Sequence, residues 1–392
     1  MAPESFELTV EALRARRATK WTKYPETIIP AWVADMDFAV ADPIQESILQ
    51  LVKHRDYGYC ARTGEVGLEQ AFVDRMKERF GWEPDPELVQ PTSELIQSVY
   101  CSIAAFSEPG DGVVIQTPIY PPFLLALDQL DRRLIDNKLR DDGTRFVLDV
   151  ERLRSSIDDR ARLLLVVNPH NPTGRVFERD ELLALGEVAV ERDLVIVADE
   201  IHADLIYDGR RHIPMGMLSP EIAARTITIT SATKSFNIPG LRCSVMHFGS
   251  AELRERFHKR IPPRMLGQVN VVGIDATVAA WRHAQPWLDA VMVRLAANRE
   301  RVARFAQSEL PGVRHYSPEG TYLAWLDCRP LDLPVSPFQF FLEQARVGLN
   351  EGADFGIHGV GHVRLNFATS EVILDEILNR MANAVEMARQ PA

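Results

Sequence analysis

Four short apolar runs, separated by helical stretches, set the strongest limit on how this chain folds. They are Gly112-Val-Val-Ile-Gln116, Arg162-Leu-Leu-Leu-Val-Val167, Asp193-Leu-Val-Ile-Val-Ala198 and Thr226-Ile-Thr-Ile-Thr230, with helical segments such as 178–192 between them. A strand that is apolar on both faces needs cover on both faces. The alternation therefore predicts an α/β fold, with a mostly parallel sheet between layers of helices. Such sheets bind ligands in the crevice beyond the carboxyl ends of their strands. Polar residues directly after the runs are the first place to look for chemistry.

The flanks differ from this centre. Residues 1–45 are mixed and contain proline. A helix is expected from Asp42-Pro43 to about His54, with Asp42 as N-cap and Pro43 at its first position. From about Gln285, Leu288, Met292, Leu295, Val302 and Phe305 recur at helical spacing. The strand-like Tyr322-Leu-Ala-Trp-Leu-Asp327 and Val363-Arg-Leu-Asn-Phe367 come next, then a terminal helix from about Glu371. The pattern predicts a large domain over 46–285 and a small α+β domain over 286–392, to which the segment 1–45 also belongs. A chain of 392 residues has room for both.

Charge and cysteine usage narrow the function. The 44 Lys and Arg against 55 Asp and Glu give a net charge of −11. No basic block is present, which argues against nucleic-acid and anionic-membrane partners. Cys60, Cys101, Cys243 and Cys328 form no CxxC pair, so no zinc site or disulfide framework is indicated, and reduced thiols in the cytoplasm are expected. The N-terminal stretch MAPESFELTVEALRARR has no apolar core of a signal peptide. No run approaches the ~18 apolar residues of a membrane span.

Three polar clusters come directly after the central runs: Asn168-Pro-His-Asn-Pro-Thr-Gly174, Asp199-Glu-Ile-His202 and Ser231-Ala-Thr-Lys234. Taken singly, each has an ordinary explanation: a turn, a helix cap, a solvated lysine. In a parallel sheet all three converge on one crevice. Competing motif readings fail. Asp199-Glu-Ile-His202 spells a DExH box, but the chain contains no Gly-Lys dipeptide for a phosphate loop. Ser231-Ala-Thr-Lys234 spells SxxK without the SDN and KTG partners of penicillin-binding enzymes. His358 and His362 have the spacing of a metal pair on a helix, but Gly356-Ile-His-Gly-Val-Gly361 is too glycine-rich for one, and a loop without a metal is expected.

Asn171, Asp199 and Lys234, in that order, resemble the fold-type I pyridoxal-phosphate (PLP) enzymes of the aminotransferase I/II superfamily. Within them the chain is similar to the MalY/PatB group of cystathionine β-lyases and cysteine-S-conjugate lyases. The resemblance is carried by Trp32-Val-Ala-Asp-Met-Asp-Phe38, Thr117-Pro-Ile-Tyr-Pro-Pro-Phe123, Asn168–Gly174, Asp199-Glu-Ile-His-Ala-Asp-Leu205, Ser231–Cys243 and Val363-Arg-Leu-Asn-Phe-Ala368. It implies a large PLP-binding domain with a smaller α+β domain. It makes Lys234 the lysine that carries the cofactor and moves the substrate proton. Asp199 would pair with the pyridine nitrogen and keep the ring an electron acceptor. Asn171 would bond the ring hydroxyl oxygen, Tyr120 would stack on the ring, and His202 would support its edge.

The same resemblance assigns the phosphate to Ser231, Arg242, Ser93 and the amides at the start of helix 94–106. It gives the substrate carboxylate to Arg364, with Asn171 beside it and a backbone contact from Ala34. Along Val363–Phe367 the apolar residues lie on one face, and Arg364 and Asn366 on the other. Tyr59, in Tyr57-Gly-Tyr-Cys-Ala-Arg-Thr-Gly64, resembles a tyrosine that reaches a neighbouring subunit's phosphate, which implies a homodimer with shared sites. The chain departs from the family at Glu94, where glycine is usual. A carboxylate beside a phosphate dianion is unfavourable, so its side chain is expected to point away, or the loop to differ. The implied activity is a C–S β-lyase acting on L-cystathionine or another cysteine S-conjugate. Alternatives are an aminotransferase, a specialised enzyme for a complex S-conjugate (decarboxylation included), and a non-catalytic binding protein on the same fold, against which the intact Lys234 and Asp199 argue.

Overall fold

The computed structural model describes residues 6–59 and 67–389. Part of the Tyr57–Gly64 motif, Cys60 and the first five residues therefore lie outside the described residues. Seven strands form the central sheet: β1 (Val89–Thr92), β2 (Gly112–Ile115), β3 (Arg133–Asp136), β4 (Ala161–Val167), β5 (Val195–Asp199), β6 (Thr226–Thr230) and β7 (Ser244–Phe248). Their order is β1-β7-β6-β5-β4-β2-β3. The five strands from β6 to β3 are parallel, while β7 runs antiparallel to both neighbours. The sheet is mostly parallel, as the apolar runs require.

Alternate residues of those runs feed two separate cores. Val113, Leu163, Leu165, Val197 and Ile227 pack with helices Leu95–Phe106, Pro121–Gln129 and Ala251–Arg260. Val114, Leu164, Val166, Ile196 and Ala198 pack with helices Val150–Ser156 and Arg179–Glu191 on the opposite face. Helix Arg179–Glu191 starts with a capping box in which Glu178 and Glu181 satisfy each other's backbone N–H groups. Helix Asp42–His54 differs from expectation by one position. Ala41 takes the extended capping conformation and no side chain caps it, so Asp42 serves as an acidic residue in the first turn.

A second, antiparallel sheet contains β8 (Arg314–His315), β9 (Leu323–Asp327), β10 (Asn350–Glu351) and β11 (His362–Asn366), in the order β8-β9-β11-β10. The long helix Gln285–Ser308 and the helix Glu371–Arg389 accompany it. Near the N-terminus, Ile29–Pro30 pairs in parallel with Val347–Gly348. The next segment is fixed from within: Asp37 accepts from Lys20 Nζ at 2.8 Å and from Trp21 Nε1 at 2.6 Å, with both charged groups about 2% exposed. Removing one partner of such a pair costs about 3–5 kcal/mol, because the other charge stays buried. Among the described residues no helix is long and apolar enough to cross a membrane.

Candidate active site

The carboxyl ends of β4, β5 and β6 open onto one cavity of about 230 Å³. Asn171, Asp199, His202, Ser231 and Lys234 line it, so the clusters at the ends of three separate strands do converge. The loop after β4 is held rigidly. His170 bridges the Gln116 carbonyl at 3.2 Å and Thr173 Oγ1 at 2.8 Å, and Asn168 Oδ1 accepts from the Phe177 N–H at 2.9 Å. Gly174 has φ +71°, and a Cβ there would sit 2.2 Å from Pro318, so the close approach to the second sheet's connections requires glycine.

Lys234 lies in the short helix Ala232–Ser235, which Ser231 caps. Its Nζ donates to the Ala34 carbonyl at 2.7 Å. That carbonyl, expected to meet substrate, is thus already engaged by the lysine. Burial lowers the Lys234 amine from 10.5 to about 8, with Asp35 and Asp199 pulling the other way. Asp199 accepts from the Ile201 N–H at 3.0 Å and forms no ion pair among the described residues. Burial raises its carboxyl to about 7, despite the Ile201 bond. His202 is buried edge-on to Tyr322, its Nδ1 without an acceptor, and burial lowers its imidazole to about 3. It is neutral at working pH.

Arg364 closes one end of the cavity. It projects from β11 and is 2% exposed, which excludes a solvent-facing strand residue. Nη1 donates to Asn171 Oδ1 at 2.8 Å, and Nη2 to Asn350 Oδ1 at 2.7 Å and the Trp32 carbonyl at 3.2 Å. Nε is buried with no acceptor, and no carboxylate pairs with the guanidinium among the described residues. Phe355 lies 4.9 Å from it and the Tyr120 ring 5.9 Å. Next along β11, Asn366 donates to the Val33 and Asp35 carbonyls at 2.7 and 2.8 Å. Asn237, three residues beyond Lys234, holds Met36 N–H at 2.9 Å and the Met36 and Phe38 carbonyls at 3.0 Å each. The Trp32–Phe38 segment is therefore strung between the lysine's helix and the arginine's strand.

The other end is built differently. Ser93, Glu94, Leu95 and Ile96 line it at the start of helix Leu95–Phe106, which no side chain caps. Ser231 Oγ donates to the Cys243 carbonyl at 2.5 Å and accepts from the Thr233 N–H at 3.1 Å, a local network and not a nucleophile's setting. Arg242 stands in the left-handed region, at φ +48°. Glu94, expected to point away unless the loop differs, lines the cavity and pairs there with Arg242.

Tyr59 is 98% exposed and does not line the cavity. Asn350, Phe355 and Thr233 do touch the site, yet the sequence singles out none of them. Asn350 lies in the two-residue strand β10 and Phe355 ends a four-residue 3-10 turn, both too short for a periodicity to mark a face. Asn237 falls inside the Ser231–Cys243 motif without a signal of its own. His358 Nε2 donates to Asp136 Oδ2 at 2.8 Å from a short turn, while His362 opens β11 and stacks on Trp325. No group of three or more candidate ligands for a metal forms among the described residues. A second cavity of about 360 Å³, lined by Arg152, Arg314, Trp325 and Asp327, contains neither Lys234 nor Asp199.

The donor set fits pyridoxal phosphate. Asp199 is a buried carboxylate lacking a cation, which a protonated ring nitrogen supplies. Lys234 is a lysine poised to lose its proton. The uncapped amides of helix Leu95–Phe106 face the cavity, as an anion requires.

Comparison with known proteins agrees. Residues 34–381 match the family described as aminotransferase class I and II. Cystathionine beta-lyase PatB of Bacillus subtilis (strain 168) is 32% identical over 376 residues, covering 94% of this chain and 97% of PatB. A crystal structure of OvoB superposes with a TM-score of 0.90 at 38% identity, covering 95% of this chain and 97% of that one. The PLP-bound C-S lyase from Staphylococcus hominis gives a TM-score of 0.92 at 28% identity, covering 99% and 100%.

Proposed function

This chain belongs to the aminotransferase class I and II family, in its MalY/PatB-like group, and from that premise we propose that it is a PLP-dependent C–S β-lyase. It cleaves L-cystathionine or another cysteine S-conjugate to a thiol, pyruvate and ammonia. One observation carries the reading. A single cavity sets a lysine whose amine is lowered to about 8 among the same walls as a buried arginine that no carboxylate pairs with among the described residues.

When bound, the cofactor supplies an electron sink for the charge left at the substrate's Cα. Lys234 would hold it covalently, and Asp199 would anchor the ring nitrogen, whose positive charge would offset the cost of the buried carboxylate. Asn171 reaches the ring oxygen, Tyr120 covers the ring face, and His202 backs its edge as a neutral imidazole. Ser93, Ser231, Arg242 and the amides of helix Leu95–Phe106 receive the phosphate. Arg364 would take the substrate carboxylate with its unpartnered Nε, while Asn171, Asn350 and Trp32 orient the guanidinium through Nη1 and Nη2. Lys234 Nζ, freed as the substrate's own amino group takes its place, would then remove the proton from Cα, which an amine near neutrality can do at working pH. The thiolate would leave from Cβ, and water would release ammonia from the three-carbon remainder to give pyruvate.

The enzyme works as a homodimer in which Tyr59 of each chain reaches the other's phosphate. Its full exposure in the single chain supports that role. We assign it to the cytoplasm, where the Cys101 and Cys328 thiols stay reduced. The division into a large domain over 46–285 and a small domain of 1–45 with 286–392 is part of the same proposal. The test measures thiol and pyruvate together across a panel of cysteine S-conjugates with no 2-oxo acid present. Equal release of both is expected. Turnover that needs an added 2-oxo acid and frees no thiol would instead make the enzyme an aminotransferase.

A further inference from the structure

Glu94 stands at the N-cap of helix Leu95–Phe106, where a carboxylate ordinarily folds back onto the free N–H groups of the first turn. Here it caps nothing. Its Oε2 reaches 148 residues along the chain to Arg242 Nη1. Both side chains are about half exposed, at 48% and 62%, and both residues line the cavity. The result is a corner with uncapped helix amides, the Ser231 hydroxyl and a guanidinium, in which the guanidinium is already held by a carboxylate of the same chain.

We propose that Glu94 sets how firmly this protein holds its cofactor, by competing with the phosphate for Arg242. The inference rests on the phosphate-site assignment made above. A phosphate entering this corner must either displace the Glu94 carboxylate from Arg242 or share the guanidinium with it. Displacement forfeits an ion pair, and sharing sets two anions side by side. Either way the carboxylate subtracts from phosphate affinity. Lys234, Asp199 and Asn171, which would hold the ring, do not touch Glu94. The pair's exposure lets Glu94 turn out to solvent, so the handicap is graded and not a block. The chain therefore releases and reloads its cofactor more readily than a site with a neutral residue at position 94.

The experiment compares wild type, Glu94→Gln and Glu94→Ala for retention of PLP during dialysis of the holoenzyme, read by the absorbance of the bound cofactor. Binding of pyridoxal, which lacks the phosphate, is measured in parallel on the stripped proteins. Both variants are expected to hold PLP about tenfold tighter while binding pyridoxal as wild type does, with the PLP difference shrinking at high salt. Arg242→Ala should loosen PLP more in the Glu94→Gln background than in wild type, since only there is the guanidinium free. Unchanged or weaker PLP retention in both Glu94 variants would overturn the inference, because Glu94 would then be idle or would be orienting Arg242. So would an equal gain for pyridoxal. If no form binds PLP, the cofactor assignment itself fails, a result distinct from equal binding by all forms.

Discussion

Two arginines stand at opposite ends of one cavity, and their surroundings differ in kind. Arg364 is buried, and its fixed donors meet neutral oxygens: the amides of Asn171 and Asn350 and the Trp32 carbonyl. Arg242 is exposed and paired with Glu94. Neutral acceptors orient a guanidinium without cancelling its charge, so Arg364 keeps its full attraction for an incoming anion. Burial alone lowers it, from 12.5 to about 10, which still leaves it charged at any working pH. A carboxylate partner both orients and neutralises, so Arg242 presents a weaker field in a more screened place. One end is built to grip, the other to be occupied in turn.

The largest expected effect lies at the gripping end. Arg364→Ala should lower kcat/KM by ~2–5 kcal/mol, or roughly 30- to several-thousand-fold, as for other desolvated charge contacts. Arg364→Lys should recover little, because a point charge cannot satisfy Asn171, Asn350 and a carboxylate together. Steady-state kinetics on one S-conjugate checks both. A loss of only a few-fold would erase the distinction between the two ends.

Chain mixing asks whether the open end is completed from outside. Inactive Tyr59→Ala and Lys234→Ala chains, allowed to exchange subunits, should regain part of the wild-type activity, since hybrid dimers contain one intact site. No recovery after demonstrated exchange would mean that each site is built from a single chain. The smallest effect belongs to Arg242→Ala in the wild-type background. An exposed, already paired guanidinium is worth ~0–1 kcal/mol, so PLP should be released at most about fivefold more readily. A much larger loss would show that Glu94 leaves Arg242 free in solution.

Much of this site is legible in the sequence because its parts adjoin regular elements. Apolar runs mark β4, β5 and β6. Residues just past the strand ends of a parallel sheet share one crevice, so Asn171, Asp199 and Lys234 can be placed together. Alternation along β11 gives the face of Arg364 and Asn366. The fold's α/β class and its long helix from Gln285 come from periodicity in the same way. The hidden part depends on contacts made by very short elements or across long stretches of chain. Asn350 meets Arg364 through an antiparallel pairing of two residues. Asn237 grips Met36 across 201 positions. The direction of Glu94 is a rotamer decided by Arg242, and no local pattern encodes it. The start of helix Asp42–His54 is misread by one residue because Asp, favoured at a cap, is also favoured in the first turn.

Two lysines offer the most direct test of the central claim that Lys234 carries the cofactor. Lys20 is buried too, but it is paired with Asp37 at 2.8 Å. Lys234 bonds only a carbonyl, and its amine is lowered from 10.5 to about 8. An amine attacks only when unprotonated, so attachment of PLP to the stripped protein should quicken as pH rises and level off above about 8, not above 10.5. Borohydride reduction of the holoenzyme, followed by peptide mapping, should place the pyridoxyl label on the peptide containing Lys234, with attachment following that pH profile. A label on Lys20 or any other lysine, or no label on a protein incubated with PLP at about pH 8, would contradict the account.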